Sequence, residues 1–206
     1  MRTFCIHFAG LRRLPPPVRA GRTIIDLVVG LPKTRAAISY AQRCHAGQRR
    51  AVDGADFIEH PLEVATLLYQ ADAPDHVIAA GVLHDVLENT DVDPVRLGRR
   101  FGKPVAALVL AVTEDNRIPE YEERKAALRK QVATADEAAL MLFAADKLSK
   151  VRELSDAGVR TPKRRIAHYI DSLELLRSRR PHCKLTAQLA VELAGVQQRR
   201  TPARLA

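Results

Sequence analysis

Pro74-Asp75-His76-Val77-Ile78-Ala79-Ala80-Gly81-Val82-Leu83-His84-Asp85-Val86-Leu87-Glu88-Asn89 opens on a proline and then repeats apolar residues at intervals of three and four. That is the pattern of a buried helix, and the proline sits where a missing amide hydrogen costs least. The same spacing recurs outward over Thr34–Arg43, Pro61–Gln70, Pro94–Phe101, Lys103–Val112, Pro119–Val132, Glu137–Leu154, Pro162–Arg179 and Leu185–Val196. Strand-like alternation is almost absent, so the expected fold class is all-α, a helical bundle.

Of the 206 residues, 47% are hydrophobic and 28% charged, enough to bury an ordinary core. The longest apolar runs, Val105–Val112 and Ala138–Ala145, fall short of the roughly 18 residues a membrane helix needs, so no membrane partner is expected. Aromatic residues make up 4% and tryptophan is absent, which argues against a stacked sugar cleft or a single-stranded nucleic-acid platform. Cys5, Cys44 and Cys183 form no CxxC pair, so neither a disulfide framework nor a thiolate zinc site is expected, and a cytoplasmic setting fits. The net charge of +9 divides into +6 over residues 1–35, −5 over 36–159 and +8 over 160–206. Because the middle is acidic, the positive charge describes the ends, and nucleic-acid binding is not the expected main function. The Arg-rich, proline-interrupted residues 1–33 read as a flexible N-terminal extension, 34–157 as the core, and 158–206 as C-terminal helices packed on it. Nothing in the sequence specifies an oligomeric state.

An aspartate in the middle of the 74–89 helix is an expensive burial unless it has a partner. A divalent cation supplies one: neighbouring helix positions point about 100° apart, so the His84 imidazole and the Asp85 carboxylate can converge on an ion between them. Glu88, four residues after His84 and three after Asp85, shares their helix face. His60 directly before Pro61, and Asp146 within the apolar run Leu140–Asp146, are two further polar residues where a core would be cheaper. Two histidines with two aspartates suit manganese, iron or a similar ion and leave positions open for water and substrate oxygens. Taken singly, each also fits a satisfied core polar residue or a helix cap. No Gly-rich phosphate loop or GxSxG elbow occurs. His7, His76, His168 and His182 read as surface or structural residues and His45 as a loop support. Arg160–Arg165 and Arg177–Arg180 read as solvated helix ends.

The ordered set His45-Ala46-Gly47-Gln48-Arg49-Arg50, His60-Pro61, Leu83-His84-Asp85-Val86-Leu87-Glu88-Asn89-Thr90, Phe101-Gly102 through Val112-Thr113, and Ala145-Asp146-Lys147-Leu148 with Val151-Arg152 resembles the HD-domain hydrolases of alarmone metabolism. These include the hydrolase half of the RelA/SpoT proteins and the stand-alone small alarmone hydrolases, and the likeness spans residues 34–157. The resemblance implies an HD-domain helical bundle holding one Mn²⁺, or another divalent ion, through His60, His84, Asp85 and Asp146. It implies a small-molecule nucleotide substrate. The 3′-pyrophosphate of guanosine tetra- or pentaphosphate would be removed by attack of water polarised by the metal, giving GDP or GTP and pyrophosphate. Glu88 would orient or deprotonate that water. Arg50 would stack on the base or pair with phosphate, and Lys147 and Lys150 would add positive charge for a polyanion.

This chain also departs from the family pattern. Glu88-Asn89 stands where the family has Glu-Asp, and if the second carboxylate is required, catalysis slows by a factor of order 10²–10⁴; Asn89 can instead hydrogen-bond the water. Lys150 replaces an asparagine and Glu153 a threonine near where the family holds the nucleoside. The alternative expectation is therefore an HD phosphohydrolase acting on another nucleotide or phosphate ester, or a catalytically weakened nucleotide-binding module.

Overall fold

Helices follow the apolar spacing along the chain of the computed structural model, which describes residues 29–158 and 161–200. They are α1 (Pro32–Cys44), α2 (Glu59–Gln70), α3 (Asp75–Leu83), α4 (Val86–Asn89), α5 (Pro94–Phe101), α6 (Lys103–Val112), α7 (Tyr121–Ala133), α8 (Glu137–Asp156), α9 (Lys163–Arg179) and α10 (Lys184–Arg200). The fold is all-α. Among the described residues the β pairing is confined to an isolated bridge between Arg49 and Asp56, and no helix is long and apolar enough to cross a membrane. The expected extension lies, up to residue 28, outside the described residues.

The 74–89 segment corrects one expectation. It is not a single helix: α3 ends at Leu83, His84 caps it, Asp85 sits at φ −89°, ψ −5°, and the four-residue α4 follows. The His84 ring donates from Nδ1 to the Gly81 carbonyl at 2.8 Å, a local side-chain bond of the kind that competes with the helix ladder. The polar pair thus lies in a turn between helices rather than inside one.

Three local features hold the site's elements together. The Asp75 carboxylate accepts from the backbone amides of Lys33 (3.0 Å) and Thr34 (2.9 Å), capping α1 and joining it to α3. Asp136 caps α8 by accepting from the Ala139 amide at 2.8 Å. Gly81 permits close approach of α2 and α3, because a Cβ there would lie 2.5 Å from Leu68 Cδ1. The core centres on α8, whose Leu140, Leu142, Phe143 and Leu148 are buried; each contributes roughly 1.5–3 kcal/mol by leaving water. Helices α2, α6, α9 and α10 all pack against α8, so a polar residue on it faces several elements at once.

Candidate metal centre

His60 lies in the first turn of α2, His84 at the end of α3, Asp85 in the following turn and Asp146 within α8. All four are buried, with exposures of 1%, 3%, 5% and 6%. The structure brings them to one point. His60 Nε2 lies 3.2 Å from His84 Nε2, 3.3 Å from Asp146 Oδ1 and 3.6 Å from Asp85 Oδ2. His84 Nε2 lies 3.3 Å from Asp85 Oδ1 and 3.6 Å from Asp146 Oδ1. Metal–ligand bonds of about 2.0–2.2 Å set neighbouring donor atoms roughly 3.0–3.6 Å apart, so these separations fit one cation. His60, His84 and Asp146 form the compact set, with Asp85 beside it. The donor set passes a second test: Asp85 Oδ2 and Asp146 Oδ1 are buried with no hydrogen-bond partner, which a metal ion would satisfy.

The carboxylates draw positive charge into this pocket, either a proton on His84 or a cation that displaces it. Burial opposes charge on His84, yet the Asp85 and Asp146 carboxylates beside it raise the imidazole to about 9. Burial also pushes the Asp85 carboxyl up, but His84, Lys150 and His60 hold it below the usual carboxylate range. Asp146 is held well below that range by Lys147 and both histidines, against the penalty of burial. The two carboxylates are therefore anionic and able to bind a cation.

The remaining expected site residues fall around this centre in different ways. Glu88 Oε1 accepts from the Glu114 amide at 2.6 Å. Burial first, and the Asp85 charge second, push its carboxyl up to about 7. The Asn89 side chain is turned back, donating to the Asp85 backbone carbonyl at 3.2 Å, while the Asn89 backbone carbonyl accepts from the Gln48 side chain at 2.8 Å. Lys147 is buried and bonds Asp146 Oδ2 at 2.6 Å, so its charge is already used within the site. Lys150 Nζ stands 3.5 Å from Asp85 Oδ2. Arg50 is not a solvated loop residue: it pairs with Asp53, with Glu59 at 3.3 Å and with Glu153 at 3.6 Å. His45 supports its loop as expected, its Nδ1 lying 2.8 Å from Gln48 Oε1.

A cavity of about 160 Å³ adjoins the centre through His60, and Arg50, Phe57, Lys150, Glu153, Arg165 and Tyr169 are among its walls. A larger open cleft of about 470 Å³ beside Tyr40, Arg99 and Arg100 shares no residue with the metal set. Arg165 is exposed at the start of α9, as expected of a solvated helix end, and from there it also lines the cavity wall. His168 is buried in the structural role expected of it, its Nδ1 2.8 Å from Arg129 Nη1.

A family model described as an HD domain matches residues 37–173. The chain belongs to the HD-domain family of metal-dependent hydrolases. Among the relatives of this HD-domain protein, human MESH1, a guanosine-3′,5′-bis(diphosphate) 3′-pyrophosphohydrolase, is 34% identical over 122 residues, covering 58% of this chain and 68% of that protein. The Aquifex aeolicus enzyme of the same activity is 37% identical over 120 residues, which are 57% of this chain but 17% of that longer protein. A solved metazoan ortholog of SpoT that hydrolyses ppGpp superposes with a TM-score of 0.67 at 28% identity, covering 82% of this HD-domain chain and 96% of its own.

Sequence reasoning missed Glu63, Ser149, Arg165 and Tyr169. Glu63 and Ser149 carried the signal that exposed Asp146, a polar residue within an apolar helical face. Arg165 and Tyr169 carried none, because only the packing of α9 brings them to the cavity.

Proposed function

We propose that this HD-domain protein is a Mn²⁺-dependent hydrolase that removes the 3′-pyrophosphate of guanosine tetra- or pentaphosphate, yielding GDP or GTP and pyrophosphate in the cytoplasm. The observation that carries this reading is the convergence of His60, His84, Asp85 and Asp146 beside a cavity walled by Arg50, Lys150 and Arg165. The activity of the named relatives supports it. On this reading residues 34–157 supply the metal and acid–base residues, while α9 and α10 pack against α8 and α9 lends Arg165 and Tyr169.

The oxygen-and-imidazole donor set, without thiolate, suits manganese. A divalent ion held there supplies Lewis-acid polarisation of water and of the scissile phosphoryl group. Glu88 takes the proton from the attacking water. Its Oε1 is held by the Glu114 amide, which leaves Oε2 to receive the proton, and a carboxyl near 7 is matched to that task at neutral pH. Arg50, Lys150 and Arg165 bind phosphate oxygens and neutralise the charge that gathers on the pyrophosphate group as its bond to the 3′ oxygen breaks, and the proton taken up by Glu88 returns to that oxygen. Lys147 holds Asp146 in its anionic form.

A second reading, hydrolysis of a different nucleotide or phosphate ester, is favoured by Glu153, whose buried Oε1 has no hydrogen-bond partner at the cavity wall. Metal-loaded protein incubated with ppGpp, deoxynucleoside monophosphates and a generic phosphodiester separates the two. Pyrophosphate released from ppGpp is the expected result; turnover of the other esters alone overturns the proposal in favour of the second reading.

A further inference from the structure

Helices α2 and α8 each carry, one turn beyond a member of the metal set, a second polar residue facing the other helix. On α2 it is Glu63, three residues after His60; on α8 it is Ser149, three after Asp146. Ser149 is fully buried. Its hydroxyl stands 2.9 Å from His60 Nδ1 and donates to Glu63 Oε2, also at 2.9 Å. Arg152, a further turn along α8, holds the far oxygen of Glu63 at 3.7 Å and reaches Glu192 of α10 at 3.3 Å.

A neutral imidazole carries one proton, and His60 can offer a lone pair from Nε2 only when that proton is on Nδ1. A serine hydroxyl can either accept from Nδ1 or donate to it. Because Glu63 takes the Ser149 proton, the hydroxyl presents its oxygen to His60 and the chain runs one way, from Nδ1–H to Oγ–H to Oε2. With Glu63 gone, the hydroxyl is free to turn and donate to Nδ1, which moves the ring proton to Nε2 and blocks the lone pair. We propose that Glu63, acting through Ser149, is a positioning residue that fixes the metal-binding tautomer of His60. Glu153 Oε1, 3.1 Å from the same Nδ1, is not in hydrogen-bond geometry with it, so the serine holds the directional bond.

The inference rests on the metal reading above, and titration of the full chain with Mn²⁺ alone tests the two separately. Glu63→Met and Ser149→Ala should each weaken Mn²⁺ binding about 10–100-fold, the usual effect of losing a group that orients a ligand. The double variant should be no weaker than the weaker single one. Glu63→Gln keeps an acceptor oxygen and should restore most of the affinity. Glu63 is only partly buried, so Glu63→Met carries the test even where Ser149→Ala does not fold. Affinity of Glu63→Met within about twofold of the unaltered protein, or losses that multiply in the double variant, overturns the relay. Failure of the unaltered protein to bind Mn²⁺ overturns the metal reading together with it.

Discussion

Asp146 serves two purposes, and a pair of substitutions separates them. Its Oδ1 faces the two histidines, while Oδ2 holds Lys147, whose ammonium is buried beside it at 2.6 Å. Asp146→Ala strands that charge, and removing one partner of a buried pair costs about 3–5 kcal/mol. Lys147 Nζ also stands 4.7 Å from the centre of the Phe143 ring, a contact worth roughly 0.5–2 kcal/mol that places the loss at the lower end, near 3 kcal/mol. For a chain of this size that is a fall of about 6–12 °C in melting temperature. Adding Lys147→Met removes the stranded charge and should recover most of the fall without restoring metal binding. Thermal melts in chelator, which removes the metal contribution, measure the first effect on both single variants and the double. A double variant that melts no higher than Asp146→Ala would falsify the pairing as the source of the cost.

Glu88→Gln should lower kcat by about 10²–10⁴ with Mn²⁺ binding retained. Since burial and Asp85 push this carboxyl up to about 7, the basic form is lost as pH falls through that value; kcat/KM should therefore rise with pH up to about 7 and level off above it. Persistence of that rise in the Gln variant assigns it to another group. Asn89→Asp should change kcat by much less than the roughly 100-fold lower bound for an acid–base group, because the Asn89 side chain is turned to the Asp85 carbonyl; steady-state rates decide it, and a gain of that size makes the amide a brake. Arg165→Ala should raise KM for ppGpp about 10–100-fold, the equivalent of one charge-assisted bond, with the effect shrinking in high salt; an unchanged KM removes Arg165 from the phosphate contacts.

Helical type and the polar residues of the candidate metal set were legible along the chain for the same reason. A 3.6-residue apolar period is local, and a buried carboxylate within it at Asp85 or Asp146 stands out because isolated charge is costly there. The break between Leu83 and Val86 was not legible, because the apolar spacing runs through it and only the His84 bond to Gly81 marks the turn. Arg50 and Arg165 look alike in composition to solvated arginines elsewhere; what distinguishes them is the cavity they share, across more than a hundred residues of chain. The order of residues determined that a helical bundle would form and which polar groups inside it required a partner. Tertiary packing decided which groups serve one another: the Gly81 crossing brings α2 close to α3, α8 sets Ser149 against His60, and contacts between distant helices leave no periodic trace in sequence.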